Sequence, residues 1–221
     1  MKYLIKELME EEILKTPSII EAFEKIDRKD FVPEELKDKA YLNAPLPIGY
    51  GQTISQPLTV AFMLELLQPQ RGDKVLEVGS GSGWQTALLA HIVSGGSGRG
   101  KIVAVELIPE LMDFGRKNVA KYDFIKKRIV EFHSFNAAKG LPEEAPFDKI
   151  ISAASGQGLP KAWKEQLEIG GRIVAPIKNS LHLFIKKGLP AGEAGENEFE
   201  ESIYPGFAFV PLISLSDYTQ Q

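Results

Sequence analysis

Residues 74–83, Lys-Val-Leu-Glu-Val-Gly-Ser-Gly-Ser-Gly, constrain the fold more than any other segment. A short apolar run passes directly into glycines at alternate positions, and helix-forming sequence follows from Trp84. Strand, glycine turn and helix in that order open a doubly wound sheet, whose ligand lies at the carboxyl edge of the first strand. The chain beyond continues the alternation. Its spacing predicts strands over 74–78, 101–106, 128–133, 147–153, 171–177, 182–186 and 199–204, and helices over 84–93, 109–122 and 159–167. The fold class is therefore α/β: a doubly wound, mostly parallel, Rossmann-like sheet covered on both faces. The order of the last strands does not follow from periodicity.

Upstream, Leu4, Ile5, Leu8, Ile13 and Leu14, then Ile19, Ile20, Phe23 and Ile26, recur at helical spacing. Two short amphipathic helices are expected, broken at Thr16-Pro17, with Thr16 placed to cap and Pro17 in the first turn. Asp27 to Pro33 ends that helical region, and 57–67 reads as a helix apolar on most sides and hence buried. Residues 1–56 are read as helices and a binding loop packed on a main domain of 57–221, one structural unit overall. Residues 94–100 and 188–197, rich in glycine, are expected to be loops.

With 26 Lys+Arg against 30 Asp+Glu, the chain lacks the basic footprint that nucleic acid or anionic membrane requires. Residues 1–16 are laced with Lys and Glu, so no secretory signal is expected. Zero cysteines exclude disulfides, thiolate-held metals and thiol nucleophiles. His91, His133 and His182 fall on separate elements without metal-ligand spacing, so no metal site is expected. Where charge is missing says more. No Asp, Glu, Lys or Arg occurs between Lys39 and Glu65, although composition would place about six there. Pro45, Pro47, Pro57, Gly49 and Gly51 rule out a membrane helix, leaving a covered loop or a binding segment. Residues 78–98 are equally bare.

The glycine turn can be sorted by ligand. A phosphate loop would end Gly-Lys-Ser/Thr, but Gly83 is followed by Trp84 and Gln85. A dinucleotide turn would need a glycine where Trp84 stands. The spacing Glu77-x-Gly79-x-Gly81-x-Gly83 instead resembles motif I of the S-adenosylmethionine-dependent methyltransferases, with the following helix N-terminus open to a ligand carboxylate. Glu106 ends the second strand, 25 residues after Gly81, where a carboxylate can accept from ribose hydroxyls. The plainer alternative is a surface Glu capping the helix at Pro109. Trp84 could pack under a cofactor or simply between helix and sheet.

A longer set of motifs narrows the family. Asp27-Arg28-x-x-Phe31-Val32-Pro33, Pro45-Leu46-Pro47-Ile48-Gly49, Gly51-Gln52-Thr53-Ile54-Ser55-Gln56-Pro57, Val105-Glu106-x-Ile108-Pro109-Glu110-Leu111, Pro146-Phe147-Asp148 and Phe209-Val210-Pro211-Leu212 occur in order. Together they resemble the protein-L-isoaspartate O-methyltransferase family over nearly the whole chain. The resemblance implies methyl transfer from S-adenosylmethionine to the free α-carboxylate of L-isoaspartyl residues in damaged proteins and peptides. The methyl ester then cyclises to a succinimide. It also implies Ser55 as the catalytic residue and Gln52, Thr53, Ile54, Ser55, Val210 and Pro211 as acceptor-binding. Cofactor contacts fall on Glu77, Gly79, Ser80, Gly81, Gly83, Glu106, Asn136 and Ala137. No metal, nucleic acid or membrane is expected to take part, and a cytoplasmic monomer is expected. The plainer reading of Thr53 or Ser55 is an N-cap for the helix at Pro57.

The chain departs from the family at Phe135-Asn136-Ala137, where Gly-Asp-Gly is usual. Asn136 keeps a carbonyl acceptor for the adenine amino group but loses the charge, and Phe135 can stack on adenine or pack in the core. Ser155-Gly156-Gln157-Gly158 and Tyr50 also differ. These departures keep open a binding module without repair activity, or a methyltransferase for another carboxylate.

Overall fold

The computed structural model describes residues 1–95, 100–188 and 198–212. Most of the two glycine-rich loops expected above, 96–99 and 189–197, lies outside the described residues. Helices α1 (Lys2–Glu10) and α2 (Pro17–Lys25) each bury one stripe, Leu4, Ile5 and Leu8 on the first and Ile19, Ala22 and Phe23 on the second. Pro17 does open α2, but Thr16 does not cap it with its side chain. The Thr16 hydroxyl donates instead to Glu65 Oε2 at 2.6 Å, while Lys15 and Thr16 N–H groups donate to Glu65 Oε1 at 2.7 Å. That carboxylate, on helix α3 (Pro57–Leu67), takes the free amide of the α2 N-terminus and fixes α2 on α3.

Part of the charge-free segment is an antiparallel hairpin, β1 (Leu46–Gly49) with β2 (Gln52–Ile54), rather than a loop throughout. Strands of 4 and 3 residues, one interrupted by Pro47, are too short to show alternation. The tip requires left-handed backbone at Gly49, Tyr50 and Gly51, which two glycines supply.

The main sheet runs β3 (Lys74–Val78), β4 (Lys101–Val105), β5 (Val130–His133), β6 (Phe147–Ser152), β7 (Leu167–Ile177), β8 (Ser180–Lys186) and β9 (Phe199–Pro205). Its spatial order is β5-β4-β3-β6-β7-β8-β9. Pairings through β7 are parallel, and β8 and β9 return antiparallel. The expected helix over 159–167 shortens to α6 (Lys161–Glu165), because Leu167 already pairs with Phe147. A bulge then carries Glu168, Ile169 and Gly170 outward before Arg172 pairs with Lys149. Those exposed residues hide the strand's start from its pattern.

Strand side chains alternate between two apolar layers. Val75, Ile102, Ala104, Ile151 and Val174 meet α1 to α3, α4 (Trp84–Val93) and α5 (Pro109–Ala120). Leu76, Val78, Val103, Ile150 and Ile173 meet α6 and the segment around Leu141. Trp163 of α6 is buried, its Nε1–H donating to Ala137 O at 2.7 Å. Since β3 has β4 on one side and β6 on the other, the order in which strands are added reverses at β3 while their direction stays parallel, and a crevice opens at its carboxyl end.

Candidate active site

The crevice holds a cavity of about 400 Å³. Its floor comes from strand ends: Val78 to Ser82 after β3, Val105 and Glu106 after β4, Phe135 and Ala137 after β5, Ala153 and Ala154 after β6. Its other wall is Pro45, Ile48 and Gln52 to Gln56 from the charge-free segment, with Ala208 to Leu212 laid across. Ser155 clamps that last segment, donating its N–H to Val210 O and accepting from Leu212 N–H, both at 2.8 Å. Phe207 stacks on Phe62 at 5.2 Å, holding the same segment onto α3.

The glycine turn is shaped by what packs behind it. Gly83 has φ +83°, and a Cβ there would lie 2.8 Å from Val119 Cγ2 and 2.9 Å from Gly115 O. Helix α5 can press this closely because Gly115 also lacks a side chain, and Asn118 Nδ2 donates to Ser82 O at 3.1 Å. Glu106 closes the turn from the other side. Its Oε2 accepts the Gly81 N–H at 2.8 Å and its Oε1 accepts the Ile108 N–H at 3.0 Å. It is 7% exposed, so it is not a surface residue. Burial raises its pKa while these backbone donors oppose the rise.

The sequence-expected residues divide cleanly. Gln52, Thr53, Ile54, Ser55, Gly79, Ser80, Gly81, Glu106, Ala137, Val210 and Pro211 share the cavity wall. Glu77 does not reach it. Strand alternation sends its side chain to the Val75 face, fully buried, where Gln85 Nε2 donates to its Oε1 at 3.2 Å. Gly83 acts from behind as the first residue of the helix cap. Asn136 lies between two wall residues, but its Oδ1 accepts the Ala138 N–H at 3.1 Å and so caps a short turn. Phe135 both lines the cavity and packs against the core. Trp84 does likewise, 1% exposed and set edge-on to Phe23 at 5.4 Å.

Neither Thr53 nor Ser55 caps α3. Its N-cap is Gln56 without a side-chain bond, and Asn43 Oδ1 takes the Leu58 N–H at 3.0 Å from across the loop. Among the described residues, no protein group engages the Ser55 or Thr53 hydroxyl. Three side chains matter that spacing did not signal in this way. Arg28 and Asn43 hold the charge-free segment from distant positions, and only folding brings them there. Asn118 left a trace, being a polar residue on the buried stripe Leu111, Gly115, Asn118 and Val119.

Comparison with known proteins agrees with this architecture. Residues 1–217 match the family described as Protein-L-isoaspartate(D-aspartate) O-methyltransferase. The Protein-L-isoaspartate O-methyltransferase of Methanopyrus kandleri is 41% identical over 219 residues, covering 98% of this chain and 92% of that one. The enzyme of that name from Aeropyrum pernix is also 41% identical over 219 residues, covering 98% and 80%. A Plasmodium falciparum structure described under the same enzyme name, in complex with S-adenosyl-L-homocysteine, superposes with a TM-score of 0.80 at 22% identity, covering 96% and 97%. That last likeness establishes the shared fold, and the sequence matches establish descent: the chain belongs to the protein-L-isoaspartate (D-aspartate) O-methyltransferase family.

Proposed function

We propose that this chain repairs damaged proteins by moving the methyl group of S-adenosylmethionine to the free α-carboxylate of L-isoaspartyl residues, with Ser55 orienting the acceptor. The observation that carries this reading is one cavity with two chemically distinct ends. At one end are the glycine turn and a buried carboxylate; at the other are two hydroxyls that no protein group engages.

The cofactor end fits an adenosyl amino acid. Ser80 Oγ is buried there without a protein partner, and Glu106 retains lone pairs beyond those its backbone donors use. Phe135 offers a ring face beyond the end of β5. When bound, S-adenosylmethionine supplies an electrophilic methyl carbon on a sulfonium.

An α-carboxylate titrates near roughly 3.3–3.7, so near neutrality the acceptor is already an ionised nucleophile. No general base is needed, and residues 40–64 contain no carboxylate to serve as one. The work left to the protein is alignment and exclusion of water, and alignment alone is worth up to roughly 7–11 kcal/mol in favourable systems. Ser55 and Thr53 can hold the carboxylate through neutral hydrogen bonds, without the ion pair that a lysine would impose on the ground state. Val210 and Pro211 cover the acceptor end and shed water from it. Action as a monomer in the cytoplasm is part of the same proposal. Among the described residues, no helix is long and apolar enough to cross a membrane.

The test is methyl incorporation into an isoaspartyl peptide compared with its aspartyl twin. Selective labelling of the isoaspartyl form is expected, and its absence would sink the proposal.

A further inference from the structure

Arg28 lies in a run of four charged residues, Asp27-Arg28-Lys29-Asp30, that reads as a solvated end to a helix. Its neighbour Lys29 is exposed, yet Arg28 itself is 0% exposed. A buried guanidinium must find partners for its donors. Its Nε–H has none among the described residues, and all four partners of the two Nη groups are main-chain carbonyls. Nη1 donates to Ala40 O at 2.7 Å and to Leu42 O at 3.3 Å, and Nη2 donates to Ala44 O and Ser55 O, both at 3.0 Å. One planar fork therefore gathers three alternate carbonyls from the start of the charge-free segment and one from just after its hairpin. The fourth belongs to the residue whose hydroxyl faces the acceptor end of the cavity.

The same cation reaches the cofactor side. Its Cζ lies 5.2 Å from the centroid of the Trp84 ring, and Trp84 is the first residue of α4, directly after the glycine turn. Arg28 thus stands between the two ends of the site and touches the framework of both. Burial lowers its pKa to about 10, so it stays charged at neutral pH. No carboxylate is among its hydrogen-bond partners, so its charge also favours an anionic acceptor nearby without pairing to it.

We infer that Arg28 is a positioning residue for the methyl transfer: by holding the Ser55 carbonyl together with those of Ala40, Leu42 and Ala44, it sets the acceptor hydroxyl at a fixed distance from the cofactor end. This rests on the isoaspartyl reading of the site. A lysine cannot do the same, because its donors diverge from a single nitrogen whereas the guanidinium presents a preorganised fork.

Arg28→Lys is the decisive variant, with Arg28→Ala plus added guanidinium as the second. Binding of S-adenosylhomocysteine to Arg28→Lys should keep its stoichiometry and affinity. Turnover on an isoaspartyl peptide should fall roughly 10- to 100-fold, as displacement of a reacting group by about an ångström does, with kcat falling more than KM rises. Guanidinium should restore part of the Arg28→Ala turnover. Amide exchange of residues 40–56 should quicken in Arg28→Lys while β3 and α4 keep their protection. Near wild-type turnover, or equal loss of cofactor binding and turnover including failure to fold, would overturn the inference. So would unchanged exchange over 40–56, a result that needs no activity. A wild-type enzyme without isoaspartyl-dependent methylation would instead count against the functional reading, leaving the exchange result to judge Arg28.

Discussion

The Gly81 amide donates to Glu106 Oε2 at 2.8 Å, so the tip of the glycine turn is tied to the end of the neighbouring strand before any ligand binds. The other oxygen holds the Ile108 amide. Glu106→Gln keeps the size but puts an NH2 against one of these two donors. Leaving a buried donor unpaired costs about 1–3 kcal/mol. The variant should melt earlier and bind S-adenosylhomocysteine roughly tenfold or more weakly, the affinity change expected from about 1.4 kcal/mol. Calorimetric titration measures this, and wild-type affinity would separate Glu106 from the cofactor.

Gly115 gives a prediction whose sign opposes intuition. Within an exposed helix, glycine to alanine gains about 1 kcal/mol. In α5 the added Cβ would lie 2.6 Å from Gly81 O and 3.3 Å from Gly83 N, atoms of the backbone that cannot swing aside. Gly115→Ala should therefore push the glycine turn out of place and weaken cofactor binding, with no gain in melting temperature. A more stable variant with intact affinity would show that α5 does not hold the turn.

Ser55 and Thr53 share the acceptor end, and neither hydroxyl is committed to capping α3. Ser55→Ala should leave cofactor affinity and stability near wild type while lowering turnover on an isoaspartyl peptide by roughly 10²-fold, the scale of losing one aligned donor. Steady-state kinetics on the peptide decides it. Turnover close to wild type would remove Ser55 from the mechanism.

These residues differ in how well the sequence announced them. The glycine turn and Glu106 were legible because their chemistry is local: spacing in a strand, a turn and a strand end defines where backbone donors and one carboxylate must go. The hairpin β1–β2 was not, since 4 and 3 residues give periodicity no room. Arg28 stands in one of the family motifs, but its burial and its role were hidden by its company. A cation among Asp27, Lys29 and Asp30 looks solvated, and its burial is decided by carbonyls 12 to 27 residues away. The start of β7 was masked by a bulge that turns Glu168 to Gly170 outward. Glu77 shows the opposite case. Its motif suggests contact with the cofactor, but strand parity with Val75 already assigned it to the other face.

That displaced carboxyl sets a pH dependence. Glu77 is fully buried, with Gln85 Nε2 donating to one of its oxygens. Burial pushes its pKa from 4.5 up to about 7. Between those values the folded chain holds a proton that the unfolded chain has lost, so stability from this group falls as pH rises and levels off above about 7. The loss is at most on the order of a few kcal/mol. Glu77→Gln keeps an acceptor for Gln85 and cannot ionise. Thermal melts from about pH 5 to about pH 8 should show the variant gaining on the wild type across this window. S-adenosylhomocysteine affinity should stay unchanged, because the side chain lies off the cavity wall. Parallel melting curves would mean that Glu77 ionises in the fold as it does in the open chain, and a large loss of affinity would return it to the cofactor site.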